Sequence, residues 1–250
     1  MTQAVLKIHD VDKKFRTNNG ETVEALQGIS LAISPNDFVC IVGPSGCGKS
    51  TLLRIVAGLE QATGGMVMYR EAPVTKPTAQ IGMVFQEYSL LPWRTVLDNV
   101  ALGLEFAGLE KSKCTAKGSE YLEMVGLTEF AQAYPHELSG GMRQRVAIAR
   151  ALAVEPDVLL MDEPFGALDA HTRILLQREL LRVWESYKKT VLFVTHSVDE
   201  AIYLADKIIV MSKRPGVIRE IINVNLPRPR DRAVLDYGQL YAKILQMLDV

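Results

Sequence analysis

Three glycines, a lysine and a run of hydroxyls fall together in Gly43-Pro44-Ser45-Gly46-Cys47-Gly48-Lys49-Ser50-Thr51, which matches G-x-x-x-x-G-K-[ST]. Glycines let a backbone curl so that its N–H groups face an anion, and the start of a following helix adds positive partial charge. Lys49 is expected to reach the β- and γ-phosphates of a nucleoside triphosphate, and Ser50 to offer its hydroxyl to Mg²⁺. A second chemical motif is Val158-Leu159-Leu160-Met161-Asp162-Glu163-Pro164, an apolar run ending in two carboxylates. Adjacent strand residues face opposite sides, so the two acids can take separate jobs. Asp162 suits Mg²⁺ binding, and Glu163 suits the water that attacks the γ-phosphate, as general base or positioning group. Each motif also has a plain structural reading, a glycine-rich turn with a solvated lysine or a turn with solvated acids. Their joint presence, with an apolar strand before each, argues against both plain readings. The loop alone is shared by GTPases, nucleoside kinases, helicases and motors.

Such residues need a strand–loop–helix frame. Phe38 to Val42 is a continuous apolar run, as in a strand buried on both faces, and Lys49 to Ala57 has a helical pattern. Further buried-type strands are expected at Ile81 to Phe85, Val158 to Met161, Val191 to Thr195 and Ile208 to Met211. Earlier, Val5 to Phe15 and Thr22 to Ile33 read as strands around an Asn19-Gly20 turn, and Pro35-Asn36-Asp37 is another turn. From about Tyr88 to Ala153 the chain reads as helices only, over Thr95 to Ala107, Lys113 to Val125 and Gly140 to Ala153. The expected class is therefore α/β: a mostly parallel core sheet, an N-terminal antiparallel β region, and an inserted helical subdomain over about 88–153. After Asn225, Leu226-Pro227-Arg228-Pro229-Arg230 is a stiff connector. A short helix over Ala233 to Leu248 is expected to turn Leu240, Tyr241, Ile244, Leu245 and Leu248 to one face. The division expected is a nucleotide-binding domain over 1–225 and a connector with helix over 226–250.

Composition narrows the class. The chain has 250 residues, 48% hydrophobic and 23% charged, enough for a sizeable core. A formal net charge of -1 offers no basic field for nucleic acid, so no nucleic-acid partner is expected. Cys40, Cys47 and Cys114 form no CxxC pair and lack a histidine cluster, which reads as reduced cytosolic thiols. Cys47 has two readings: a small residue that fits the loop, or a thiol whose alkylation stops activity. Met1 to Asp10 lacks a signal-peptide pattern, and no apolar run approaches a bilayer span of about 18 residues. Any membrane service is expected to run through a partner.

Leu138-Ser139-Gly140-Gly141-Met142-Arg143-Gln144-Arg145 precedes the acidic motif. As structure it reads as a helix start capped by Ser139, which is also an anion site. The order of phosphate loop, Gln86, Leu-Ser-Gly-Gly, Asp-Glu, Ala167-Leu168-Asp169 and His196 closely resembles the ABC ATPases, over nearly the whole chain to about Asn223. The resemblance implies a role for each matched residue. Phe15 resembles the aromatic that stacks on adenine, with an ordinary strand-end aromatic as the alternative. Gln86 resembles the lid glutamine that touches Mg²⁺ and the attacking water. Ser139, Gly140 and Gly141 resemble the signature that clasps the γ-phosphate of a nucleotide on a second copy. Asp169 resembles the aspartate that crosses that dimer, and His196 the switch histidine facing the γ-phosphate. Met142 stands where the signature commonly has glutamine, and no contact is assigned to it. The resemblance thus implies an ATPase that uses ATP and Mg²⁺ and works as half of an ATP-sandwich dimer.

Within that family, Leu90-Leu91-Pro92-Trp93-Arg94-Thr95-Val96, the Gly-Gly-Met-Arg-Gln-Arg signature, Arg214-Pro215-Gly216 and the Leu-Pro-Arg-Pro-Arg tail are similar to bacterial importer cassettes for nitrate, sulfonates, taurine and bicarbonate. This implies a cassette on the cytoplasmic face of the inner membrane, bound near Trp93 to a separate permease and served indirectly by an external solute-binding protein. The plain reading of Trp93 is a loop residue packed on its own helix. Non-import ABC ATPases of lipid-trafficking or cell-division type are the alternative, disfavoured by the Leu-Leu-Pro-Trp segment. A DNA-repair ATPase would need a long coiled coil between Lys49 and Ser139, a translation factor two sets of motifs, and a small-molecule kinase no Ser139-Gly-Gly or His196. The tail after Asn225 is expected to be too short for an added regulatory domain.

Overall fold

The computed structural model describes residues 3–17 and 19–248. Strands β1 (Leu6–Arg16) and β2 (Thr22–Ile33) form an antiparallel hairpin around Asn19-Gly20, with Leu6 opposite Ile33 and Phe15 opposite Val23. Strand β3 (Phe38–Val42) is buried at every position and leads through the phosphate loop into helix α1 (Lys49–Val56). Strands β4 (Gly64–Tyr69) and β5 (Ala72–Pro73) complete an antiparallel sheet in the order β2-β1-β4-β5. These two have no clear signal in the sequence. In β4 Val67 alone is buried, so the alternation that marks a half-buried strand is missing.

Next come β6 (Ile81–Val84), α2 (Val96–Phe106), α3 (Lys111–Met124), α4 (Gly140–Ala153), β7 (Val158–Asp162) and α5 (Ala170–Tyr187). Then follow β8 (Thr190–Thr195), α6 (Val198–Leu204), β9 (Lys207–Met211), β10 (Ile218–Asn223) and α7 (Leu235–Leu248). The chain divides into two compact units, Met1–Thr78 with Thr190–Val250, and Ala79–Lys189.

In the first unit β3 pairs in parallel with both β8 and β9, and β10 adds an antiparallel edge to β9. All of β8 is buried, as a strand covered on both faces requires. In the second unit β6 and β7 pair in parallel, and α2, α3 and α4 lie between them in sequence. The expected α/β class, with parallel core strands, an antiparallel N-terminal sheet and a helical insertion, is observed. The compact second unit is wider than the 88–153 stretch, because β6, β7 and α5 belong to it. Side-chain caps start α2 and α4: Thr95 Oγ1 accepts from Asp98 N at 3.1 Å, and Ser139 Oγ from Met142 N at 3.3 Å.

Helix α7 differs in its buried face. Of the apolar residues expected there, Ile244 is buried, while Tyr241 and Leu245 are exposed; the second buried residue is Tyr237. The phenol is drawn inward by hydrogen-bond partners on α6, which a periodicity of apolar residues does not reveal. Among the described residues no helix is long and apolar enough to cross a membrane.

Candidate active site

In the first unit, the phosphate loop is held from beneath and from one side. Gly48 caps α1 with φ of 105°, and a Cβ there would lie 2.8 Å from Ala25 O and 2.7 Å from Leu26 Cδ2. Only glycine satisfies both the left-handed backbone and that close approach. Cys47 is 1% exposed and donates its N–H to Pro44 O at 3.3 Å. A Cβ on Gly43 would sit 2.8 Å from Cys47 Sγ, so the thiol fills space under the loop. This matches the first reading of Cys47, a small residue that fits. Pro44, Ser50 and Thr51 are half-buried, and Ser45 and Gly46 are exposed at the tip.

Lys49 is 4% exposed, and its Nζ donates to the carbonyls of Gly43 at 2.8 Å and Pro44 at 3.0 Å, with Cys47 Sγ at 3.9 Å. These partners are neutral atoms of the loop itself. Burying an ammonium among neutral groups costs several kcal/mol, roughly, unless an anion compensates. The same place has the N-terminus of α1, whose first amides favour negative charge. A phosphate chain answers both demands.

The loop is also braced by a segment far from it along the chain. Arg214 donates from Nε at 3.2 Å and Nη2 at 3.1 Å to Gly46 O. Gly216 lies so close that a Cβ would stand 2.1 Å from Cys47 O. The Arg214-Pro215-Gly216 turn is thus a wall of the loop, although the two are some 168 positions apart in sequence.

Phe15 is the penultimate residue of β1 and is 39% exposed, with Lys13 Nζ 4.7 Å from its ring centroid. Lys13 also donates to Glu60 Oε1 at 2.6 Å and to Gln61 O at 2.7 Å, so its position is fixed. His196 follows β8 directly and is exposed. Its neighbour Thr195 is buried and donates from Oγ1 to Glu200 Oε2 at 2.5 Å.

In the second unit, Asp162 closes β7 and is 5% exposed. Glu163 does not continue the strand. Its φ is 43°, left-handed for a residue with a Cβ, and Gly166 N donates to its carbonyl at 3.0 Å. The turn, and not period-two alternation, therefore sets the direction of Glu163. Such a backbone costs roughly 1–3 kcal/mol and is found where surrounding structure enforces it, often at functional positions.

Gln86 lies in an exposed bend after β6. The segment behind it is tied to α4: Arg150 donates to Ser89 O at 2.7 Å and to Tyr88 O at 3.0 Å, and Arg143 lies 5.4 Å from the Tyr88 ring. Burial lowers the Arg150 guanidinium from its ordinary value. Arg150 had no signal in sequence, because its partners are backbone carbonyls 61 and 62 positions away.

The unit also brings the signature and Asp169 together. Ser139 caps α4 and Asp169 caps α5, accepting from Thr172 N at 3.0 Å. Thr172, through its side chain first and its backbone second, holds the Asp169 carboxyl below the usual carboxylate range. A Cβ on Gly141 would meet Thr172 Cγ2 at 2.8 Å, and one on Gly140 would meet the Tyr88 hydroxyl at 3.2 Å.

Trp93 is 72% exposed, which overturns the plain reading that it packs on its own helix. Its loop is nevertheless ordered by Asn99, which is fully buried. Asn99 accepts from Leu91 N at 2.8 Å and donates to the carbonyls of Leu91, Arg94 and Thr95 at 3.1, 3.2 and 2.9 Å. The exposed indole therefore stands on a loop that is held in place.

Comparison with known proteins agrees with these features. A family model described as ABC transporter matches residues 26–166. An uncharacterized ABC transporter ATP-binding protein of Methanocaldococcus jannaschii is 52% identical over 243 residues, 97% of this chain and 91% of that protein. The aliphatic sulfonates import ATP-binding protein SsuB of Bacillus anthracis is 48% identical over 244 residues, 98% of this chain and 96% of that protein. A solved ATP-binding cassette, a dimer in a post-hydrolysis state bound to ADP and Pi, superposes with a TM-score of 0.78 at 34% identity, covering 88% of this chain and 99% of that one. With its phosphate loop, acidic strand end and capped signature helix, the chain belongs to the ABC transporter family and is an ATP-binding cassette that hydrolyses ATP.

Proposed function

We propose that this ATPase energises an importer, working as half of an ATP-sandwich dimer with a second copy of itself and docked through the Trp93 loop to a separate permease. The observation that carries the nucleotide chemistry is the buried Lys49 ammonium, whose hydrogen bonds go to neutral loop carbonyls at the N-terminus of α1. Lys49 and the loop amides hold the β- and γ-phosphates, and Phe15 offers an aromatic face for adenine. Glu163 orients and deprotonates the attacking water, Gln86 and His196 face the γ-phosphate, and the products are ADP and phosphate. Ser139, Gly140 and Gly141 present helix N-terminal amides to the nucleotide of the opposite copy, beside Asp169. Each nucleotide then bridges two chains, and hydrolysis weakens the bridge.

The donor types proposed for Mg²⁺ suit that ion. A hydroxyl (Ser50), a nearly buried carboxylate (Asp162) and an amide oxygen (Gln86) are hard oxygen donors, and Mg²⁺ is commonly held by one or two such groups together with substrate phosphates. Among the described residues no cluster of three or more His, Cys, Asp or Glu forms a metal site independent of nucleotide. When bound, the ion neutralises phosphate charge.

The solute belongs to the small anions, of sulfonate, taurine, nitrate or bicarbonate type. Identity of 48% to a sulfonate-import protein over nearly the whole chain supports this and favours import over lipid trafficking or cell division. The cassette then works at the cytoplasmic face of the inner membrane, and an external binding protein delivers solute to the permease. The deciding experiment is Glu163→Gln with ATP and Mg²⁺, sized by chromatography with light scattering. A stable dimer is expected; a variant that stays monomeric at high concentration refutes the sandwich.

A further inference from the structure

The helix that follows His196 is gripped along its length by the C-terminal segment. Helix α6 has 7 residues, two turns, too short to be stable alone. Its first turn is locked to the end of β8. Ser197 N donates to Thr195 Oγ1 at 3.0 Å, Thr195 Oγ1 donates to Glu200 Oε2 at 2.5 Å, and Glu200 N donates to Ser197 Oγ at 3.3 Å. His196 lies inside this closed set of bonds, so a rotation of α6 carries His196 with it.

What fixes α6 comes from residues 228–237. Arg232 grips Asp199 with two nitrogens, Nε to Oδ1 at 2.8 Å and Nη2 to Oδ2 at 2.9 Å. The Tyr237 hydroxyl reaches Asp199 Oδ1 at 2.7 Å and Asp199 O at 2.9 Å. The Arg232 guanidinium also lies 4.1 Å from the Tyr203 ring centroid, on the next turn of α6. At the far end Arg230, 6% exposed, donates to Ile202 O at 2.6 Å and Tyr203 O at 3.2 Å, and Arg228 donates to Leu204 O. Cations on the last carbonyls and a neutralised acid in the first turn hold both ends of one short helix. Tyr237 and Ile244 bury α7 beneath them, at 4% and 0% exposure.

We propose that Arg232 and Tyr237 are positioning residues for His196: through Asp199, three residues downstream, they set where the His196 turn stands when it meets the γ-phosphate. This rests on the reading of His196 as a γ-phosphate contact. The C-terminal segment is on that account part of the catalytic apparatus. Arg232 also neutralises a carboxylate near a residue expected to face a polyanion.

The test is a kinetic cycle on the purified full chain with ATP and Mg²⁺. The double variant Arg232→Ala/Tyr237→Phe is expected to lower kcat about ten-fold while KM for ATP stays within about two-fold, as misplacement of a group acting late would do. In a His196→Ala background the same two changes are expected to cost nothing further, since the group they position is gone. Arg232→Lys, which keeps the charge and loses the fork, is expected to recover part of the loss. Full kcat in the double variant, with His196→Ala slow, overturns the proposal and leaves the role of His196 standing. Equal losses in both backgrounds also overturn it, because the segment then acts only on the fold. Full kcat in His196→Ala overturns both the proposal and the reading beneath it. Should Arg232→Ala aggregate, Tyr237→Phe alone deletes one hydroxyl, keeps the ring, and completes the cycle.

Discussion

Replacing Gly216 with alanine forces apart two segments that form the phosphate loop's wall. The new Cβ would lie 2.1 Å from Cys47 O, 2.8 Å from Met211 Cε and 3.3 Å from Ala25 O. A carbon and a carbonyl oxygen rest at about 3.3 Å or more, so the backbones must separate by roughly 1 Å. Methionine can swing away, but Cys47 O is backbone and cannot. The separation also stretches Gly216 N to Ala25 O and Gln27 N to Gly216 O, each 3.0 Å now. Two weakened backbone bonds contribute about 1 kcal/mol each, and overpacking adds about 1–3 kcal/mol, so the loss is about 3–5 kcal/mol. Urea unfolding measures it, with an unchanged slope showing that the fold persists. Because Cys47 belongs to the loop, affinity for a fluorescent ATP analogue is expected to fall about ten-fold, the equivalent of 1.4 kcal/mol. Gly238→Ala is the control: it lies in α7 with nothing within 4 Å of its Cβ, and is expected to gain about 0.5–1 kcal/mol. Gly216→Ala with stability and affinity both as in the wild type would falsify the close-approach reasoning.

Other expectations follow from single side chains. Burial first, and the Asp199 hydrogen bond second, raise the Tyr237 phenol above its ordinary value. The folded chain keeps a proton that the unfolded chain releases above about pH 10, so this stabilisation is complete below that pH and declines as pH rises past it. Thermal melts of Tyr237→Phe should show a shallower alkaline decline than the wild type; identical slopes refute the assignment. Cys47, at 1% exposure, should resist a maleimide in the native protein and react once urea opens the fold, followed by mass spectrometry; rapid native labelling contradicts its burial. Trp93→Ala should leave melting temperature and basal ATPase unchanged while abolishing co-purification with the proposed permease partner, since the indole is 72% exposed. Retained co-purification moves the docking surface elsewhere.

The chemistry of the chain was legible because it is local. A phosphate loop needs its glycines, lysine and hydroxyl in one short run between a buried strand and a helix, and Gly43 to Thr51 shows all of that on paper. The same holds for Val158 to Glu163 and for Ser139 at the start of α4. Buried parallel strands were legible too, since β3, β7 and β8 are apolar at nearly every position. Strands β4 and β5 were not, because exposed strand residues carry no period.

Tertiary structure alone decided how the local pieces are braced. Arg214 and Gly216 wall the phosphate loop, Arg150 ties down the segment after Gln86, and Arg232 with Tyr237 fixes the helix after His196. Most of these contacts end on backbone carbonyls. A carbonyl is the same atom at every position, so the sequence names the donor and leaves its acceptor unspecified until the fold brings the two together. The sequence by itself determined which residues carry the proposed chemistry of holding a triphosphate and activating water. The fold determined which distant arginines, glycines and one tyrosine keep those residues in place.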